Sequence, residues 1–327
     1  MNKSKIIILL IVIASVTKQS FGQSIKDSLK KVINNYTQAI KLNPENAIAY
    51  KSRGKAKLGL ADYKGALKDY NKAIELNPKY DSAYVGRGVA KEKLGMKDAI
   101  DDFIKAKELN SESDIAYYNI GESKMQSEDY LGAIEAYTKA IQLNPKLAKA
   151  YVKRGYSKRY LKNYSDALED CNKAIELDSK DDWSFIIRGL VKESLKDYNG
   201  AIKDYNWALE LNPNYSDAFF HKGFSKEKLR DYKGAIEDYT KALELNPKNG
   251  DVYEHRGDVK KGLQDYEGAI KDYSKTIELN PKDKTSHKSR ADCKFQLGDK
   301  TGACTDWRKA YDLGHTGANY YLNKYCK

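Results

Sequence analysis

Apolar positions along this chain recur at helical spacing rather than in strand-like alternation. From residue 47 onward they fall into stretches of about 12 to 15 residues, the length of short amphipathic helices. Asp62, Asp129, Asn163, Asp197, Asp231, Asp265 and Asp299 open every second stretch, where a side-chain acceptor caps free N–H groups. Asn-Pro closes it at Asn43-Pro44, Asn77-Pro78, Asn144-Pro145, Asn212-Pro213, Asn246-Pro247 and Asn280-Pro281. The residue before proline is pushed out of the α region, so the helix stops there. Gly54, Gly121 and Gly189 are predicted to face Ala66, Ala133 and Ala201, small against small, letting paired helices approach.

The N-terminus has a different pattern. Lys3 and Lys5 precede an unbroken apolar or small-residue run, Ile6 to Val16, followed by Ser20-Phe21-Gly22. Such a run is too short to span a bilayer. With small residues at Ser20 and Gly22, it reads as a cleaved signal peptide over 1–22. Export to the periplasm or the outside of the cell is therefore expected, with no membrane span after cleavage. Disulfides persist in such compartments.

The closing Asn-Pro signal, filled in twice by Asn110-Ser111 and Asp178-Ser179, recurs every 33 or 34 residues. That period belongs to helix-turn-helix arrays. One well-formed stretch reads Ala49-Tyr50, Arg53-Gly54, Asp62-Tyr63, Gly65-Ala66, Tyr70, Ala73 and Pro78. In these positions the chain resembles the tetratricopeptide repeat family, and in its closing segment it resembles exported bacterial members. The resemblance implies an all-α, right-handed superhelical solenoid of about eight helix-turn-helix repeats over 47–317. Residues 23–46 are expected to form an N-terminal capping helix and 318–327 a C-terminal one, because terminal repeats need a polar outer face.

Two positions depart from the family pattern together. Position 7 is basic in every repeat but the third, where it is Ile120, and position 23 is Asp in every repeat but the third, where it is Ala136. This covariation predicts seven ion pairs: Arg53–Asp69, Arg87–Asp102, Arg154–Asp170, Arg188–Asp204, Lys222–Asp238, Arg256–Asp272 and Arg290–Asp306. A half-buried cation without its carboxylate would be costly. Position 11 is lysine throughout: Lys57, Lys91, Lys124, Lys158, Lys192, Lys226, Lys260 and Lys294. Two readings are open for these lysines. They cover the aromatic layer with their stems, or they form a cationic ladder for a glycan or other polyanion.

Composition sharpens this picture. The chain has 327 residues, 41% hydrophobic and 32% charged, which excludes both a disordered chain and a multi-span membrane protein. Its formal charge is +12. Tyrosine is over-used, 26 against 7 Phe and 3 Trp, and most tyrosines hold repeated lattice positions.

There are four cysteines. Cys171 replaces a packing aromatic and reads as a buried thiol. Cys293 and Cys304 are placed symmetrically about a helix–helix turn, and Cys326 lies on the closing helix beside Cys304. Cys304–Cys326 is favoured as a bridge, with Cys293–Cys304 as the alternative. Neither a Cys-x-x-Cys nor a helical His pair suggests a metal. No nucleophile–base constellation, phosphate loop or cofactor motif is present, so no enzyme, cofactor or nucleic-acid partner is expected.

In the family the resemblance points to, positions 2, 5, 6, 9, 12 and 13 of the first helix line a concave groove. Here they collect Tyr118, Met125, Tyr156, Tyr160, Trp183, Ile186, Ile187, Leu190, Phe220, His221 and Phe224 in repeats three to six. An apolar and aromatic patch on such a face marks a binding surface. The expected function is a non-enzymatic scaffold that binds a peptide or protein there.

Overall fold

A computed structural model of the chain describes the backbone of residues 3–326 and side chains from 23 to 326. The leader expected over 1–22 lies outside the residues whose side chains are described. Eighteen helices and no strands occur among the described residues. In chain order they are α1 Lys3–Leu42, α2 Ala47–Gly59, α3 Tyr63–Leu76, α4 Asp81–Lys93, α5 Ala99–Leu109 and α6 Asp114–Gln126. Then come α7 Tyr130–Leu143, α8 Ala148–Tyr160, α9 Tyr164–Leu177, α10 Asp182–Ser194, α11 Tyr198–Leu211 and α12 Ser216–Lys228. The last are α13 Tyr232–Leu245, α14 Gly250–Gly262, α15 Tyr266–Leu279, α16 Lys284–Gln296, α17 Lys300–Asp312 and α18 Ala318–Tyr325. No helix among the described residues is long and apolar enough to cross a membrane.

The chain divides into two compact units, Met1–Ser157 and Lys158–Lys327. In the first, α1 packs on α2, and α2/α3, α4/α5 and α6/α7 form antiparallel pairs stacked in sequence. In the second, α10/α11, α12/α13, α14/α15 and α16/α17 do the same, and α18 closes on α17. A repeat buries its apolar face only against its neighbours.

Local chemistry sets the helix limits. Asp62, Asp129, Asp197, Asp231, Asp265 and Asp299 each accept a hydrogen bond from the backbone N–H three residues on, that of Gly65, Gly132, Gly200, Gly234, Gly268 or Gly302. Asn163 does not cap. Its amide donates to Asp166 at 2.9 Å, because a carboxylate one turn ahead attracts the donor end of Asn. At the other end Asn77 adopts φ −140°, extended as the following proline requires.

Glycine packs differently from expectation. A Cβ on Gly121 would lie 2.5 Å from the Tyr137 ring, and one on Gly189 2.5 Å from the Tyr205 ring. At these positions the closest approach is to a large aromatic ring, while at Gly223 the Ala235 carbonyl also lies 3.2 Å from where a Cβ would sit. Tyr137, Tyr205, Tyr239 and Tyr273 are fully buried in this way and form the centre of each helix pair.

The turn between paired helices carries strain. Ala61, Glu128, Lys162, Lys196, Arg230 and Gln264 adopt φ between 60° and 65°. Glycine takes the equivalent place only at Gly95 and Gly298.

Candidate functional site

Each first helix presents one side to its partner second helix and another to neighbouring first helices. The inward side is dominated by the charged pairs. Arg53 donates from Nε and Nη2 to Asp69 at 2.9 and 2.7 Å, a two-pronged bond. Its remaining Nη1 donates to Thr37 on α1 at 3.2 Å. Asp69 is 2% exposed, so this carboxylate is out of water and needs its donors. The same fork joins Arg87 to Asp102, Arg188 to Asp204, Arg256 to Asp272 and Arg290 to Asp306. Lys222 meets Asp238 at 2.9 Å. Arg154 on α8 donates to Thr138 at 3.0 Å, and Asp170 is buried on α9.

The third guanidinium nitrogen links repeats. Arg87 reaches Asn71, Arg188 reaches Asn172, Arg256 reaches Thr240 and Arg290 reaches Ser274, each on the second helix of the preceding repeat. Lys222, with a single nitrogen, cannot make the fork and the link together. Aromatic residues one turn earlier lie beneath the cation: Tyr50 under Arg53 at 5.6 Å and Tyr84 under Arg87 at 5.2 Å.

The position-11 lysines converge on the same carboxylates. Lys57 lies 2.8 Å from Asp69, Lys91 3.0 Å from Asp102, Lys158 2.8 Å from Asp170 and Lys192 2.8 Å from Asp204. Lys226, Lys260 and Lys294 meet Asp238, Asp272 and Asp306 in the same way. In the third repeat, which lacks that Asp, Lys124 turns to Asp129 at 3.3 Å. The expected alternative of a free cationic ladder is therefore corrected. These ammonium groups are tied inward to buried carboxylates, leaving little charge for an external polyanion. Burial alone would raise the Asp306 carboxyl, yet Arg290 and Lys294 overcome it and hold it below the usual carboxylate range.

The expected groove residues differ in their surroundings. Ile186 and Ile187 are buried, 2% and 0% exposed, and belong to the core; they present no binding surface. The reason is that α10 packs against α12 through this side as well as against α11. Tyr118 and Met125 rest against the core around Tyr137, with the Tyr118 and Tyr137 rings 5.7 Å apart. Tyr156 is half-buried, and Tyr160 is exposed beneath the Arg159 guanidinium. Trp183 and Leu190 are half-buried on the edge of the Tyr205 core.

Phe220, His221 and Phe224 form part of a cluster on α12 that extends to α10 and α14. His221 Nδ1 lies 3.3 Å from Glu193 on α10, and His255 Nδ1 lies 3.3 Å from Glu227 on α12. Phe220 meets the His221 and His255 rings at 5.0 and 5.5 Å, edge to face. Phe224 meets His255 at 5.6 Å. Tyr239 donates its hydroxyl to Glu227 at 2.7 Å, and Lys228 binds the other oxygen at 3.0 Å. Glu227 would be raised by burial, but His255, Tyr239 and Lys228 hold it down at about 2. His255 is raised above its ordinary value by its bond to Glu227. The carboxylates Glu193 and Glu227 were missed as site residues by sequence reasoning. The signal was their shared spacing, since each stands 28 residues before its histidine.

Cys293, Cys304 and Cys326 lie near the far end of the second unit, and Cys171 is on α9. Cys304 and Cys326 form a disulfide, with a Cα–Cα distance of 5.6 Å. Cys293 is free and buried, which removes the alternative bridge to Cys304. Burial pushes the Cys171 thiol up to about 12 and the Cys293 thiol to about 11, so neither is a ready nucleophile. No group of three or more metal-ligating side chains occurs among the described residues.

Helix pairs repeated in register, with a partly uncovered aromatic face on the first helices, define a protein-interaction scaffold. Models of the tetratricopeptide repeat match residues 115–147, 148–181, 184–215, 216–249 and 250–283, and a model of the TPR repeat matches 62–95. These matches cover more than half of the chain, which belongs to the tetratricopeptide repeat family. Members of this family are generally non-catalytic scaffolds.

No curated protein matches the chain. Among solved structures, the Cut9–Hcn1 hetero-tetramer of the APC/C aligns with a TM-score of 0.65 at 19% identity. That alignment covers 81% of this chain and 52% of the other, so the chain spans about half the length of that neighbour. PilF of Pseudomonas aeruginosa aligns with a TM-score of 0.59 at 18% identity, covering 65% of this chain and 97% of PilF. YrrB, a TPR protein with an unusual peptide-binding site, is 24% identical over 56% of this chain and 95% of its own, with a TM-score of 0.46. At these identities the likeness to the Cut9 and PilF structures is one of fold.

Proposed function

We propose that the protein is an exported, non-enzymatic scaffold that binds a peptide or protein partner on the first-helix face of α10, α12 and α14. One observation carries the reading: Phe220 and Phe224 stay half-buried on α12, where helix pairing does not require aromatic residues. Aromatic side chains on an uncovered face are typical anchors for a partner. Export is supported by the sequence of residues 1–22 and by the Cys304–Cys326 bridge, which suits an oxidising compartment.

The test is capture of crosslinked partners from the native cell envelope. Phe220→Ala with Trp183→Ala should lose the captured partner at unchanged helicity; equal capture would remove the reading. N-terminal sequencing of the mature protein should begin at Gln23, and an intact Met1 would argue against export by cleavage.

A further inference from the structure

We propose that this face takes an extended peptide segment in which a lysine or arginine lies beside a large apolar residue, the cation on Glu254 and the apolar group on Phe220. The inference rests on the binding face just described and adds the chemistry of its occupant. Glu254 sits on the first helix of the seventh repeat, next to His255, whose ring is 5.5 Å from Phe220. It is half-buried and has no hydrogen-bond or ion-pair partner among the described residues. Cationic groups on α14 and α16 are engaged with other carboxylates. Lys261 lies 3.1 Å from Asp258, Lys288 lies 2.7 Å from Asp292, and His255 is bonded to Glu227.

Asp217 and Asp251, at the starts of α12 and α14, are exposed and likewise without partners among the described residues. Burial, together with Asp283, Asp258 and Asp251, holds the Glu254 carboxyl above its usual range. A bound cation would relieve that pressure. A chain of formal charge +12 that leaves one aromatic face with unpaired carboxylates is complementary there to a basic apolar segment.

The protein already holds one cation this way. Lys228 Nζ lies 4.5 Å from the centre of the Phe224 ring and 3.0 Å from Glu227. An ammonium between an aromatic face and a carboxylate gains from both. Phe220 and Glu254, at equivalent positions 34 residues apart on α12 and α14, offer a ring and a carboxylate to a bound segment.

The experiment uses the full mature chain and short fluorescein-labelled peptides of alternating Leu and Lys, Leu and Gln, or Leu and Glu, read by anisotropy at one salt concentration. The Leu/Lys peptide should bind about tenfold tighter than the Leu/Gln peptide, the effect of a single good contact. Glu254→Gln, nearly isosteric at a half-exposed site, should erase that gap. Phe220→Ala should weaken both peptides. If Phe220→Ala weakens binding but Glu254→Gln does not, the face is a binding site and the cation inference is overturned. If neither variant matters, or no peptide binds, the underlying reading fails as well. Spermidine competing as well as the Leu/Lys peptide would also overturn the proposal, since the apolar contact would then contribute nothing.

Discussion

Asp69 holds two cations at once, with Oδ1 2.7 Å from Arg53 Nη2 and Oδ2 2.8 Å from Lys57 Nζ. Its carboxylate is nearly dry, so each donor is required and neither is decoration. Because Arg53 also bonds Thr37, the triad ties a repeat to the helix before it. These links would hold in place the first-helix face proposed to bind a partner.

The triad predicts a non-additive mutation pair. Asp204→Ala strands Arg188 and Lys192 and should cost about 3–5 kcal/mol, the usual effect of breaking a buried ion pair. Arg188→Ile combined with Asp204→Ala recreates the third repeat, where Lys124 has turned to Asp129, and should cost markedly less. Guanidinium melts of the two variants and of Arg188→Ile alone complete the cycle.

The His255–Glu227 pair should show in pH dependence. His255 is raised, so its contribution is complete below its unfolded value of about 6.5 and fades as pH rises through the folded value. Glu227 is depressed, so its contribution is present above its unfolded value of about 4.5 and is lost as pH falls toward about 2. The pair therefore stabilises most between those limits. NMR titration of the His255 ring should show a midpoint above the ordinary histidine value, and Glu227→Gln should bring it down. An unshifted midpoint in the parent protein would refute the coupling.

The Cys304–Cys326 bridge joins α18 to α17 across a separation of 22 residues. A loop of that size is worth about 3 kcal/mol. Reduction, or Cys326→Ser, should increase hydrogen exchange in α18 while protection in α10 to α14 stays constant. Trp307, 1% exposed and stacked 4.9 Å from Tyr321, should become more solvent-accessible by fluorescence quenching.

The left-handed turn residues predict stabilising substitutions. Gln264 adopts φ 65°, where a side chain clashes with its own backbone. Gln264→Gly removes that strain at some entropic cost and should stabilise by roughly 0.5–1 kcal/mol in thermal melts. Gly298 already occupies the corresponding turn of the last repeat.

How far the sequence could be read depended on whether an interaction repeats. The helix limits follow from Asp at the start and Asn-Pro at the end, because capping and the pre-proline restriction act within a few residues. The Arg188 and Asp204 contact could be inferred because the third repeat changes both positions together. Asn163 broke the capping pattern for a local reason, the adjacent Asp166, that residue type alone did not reveal. The Tyr205 ring against Gly189 was not foreseen because spacing identifies a crowded position but not which side chain crowds it.

The sequence by itself determined the helical repeat, its family and the places where the pattern breaks, since all of these are periodic and local. Tertiary structure decided what each inward side chain touches. It buried Ile186 and Ile187, turned the position-11 lysines onto shared carboxylates, and set Glu227 against His255 while leaving Glu254 unpaired. Those outcomes depend on which residues meet across neighbouring helices, where burial makes a charge either paired or costly, and no single helix carries that information.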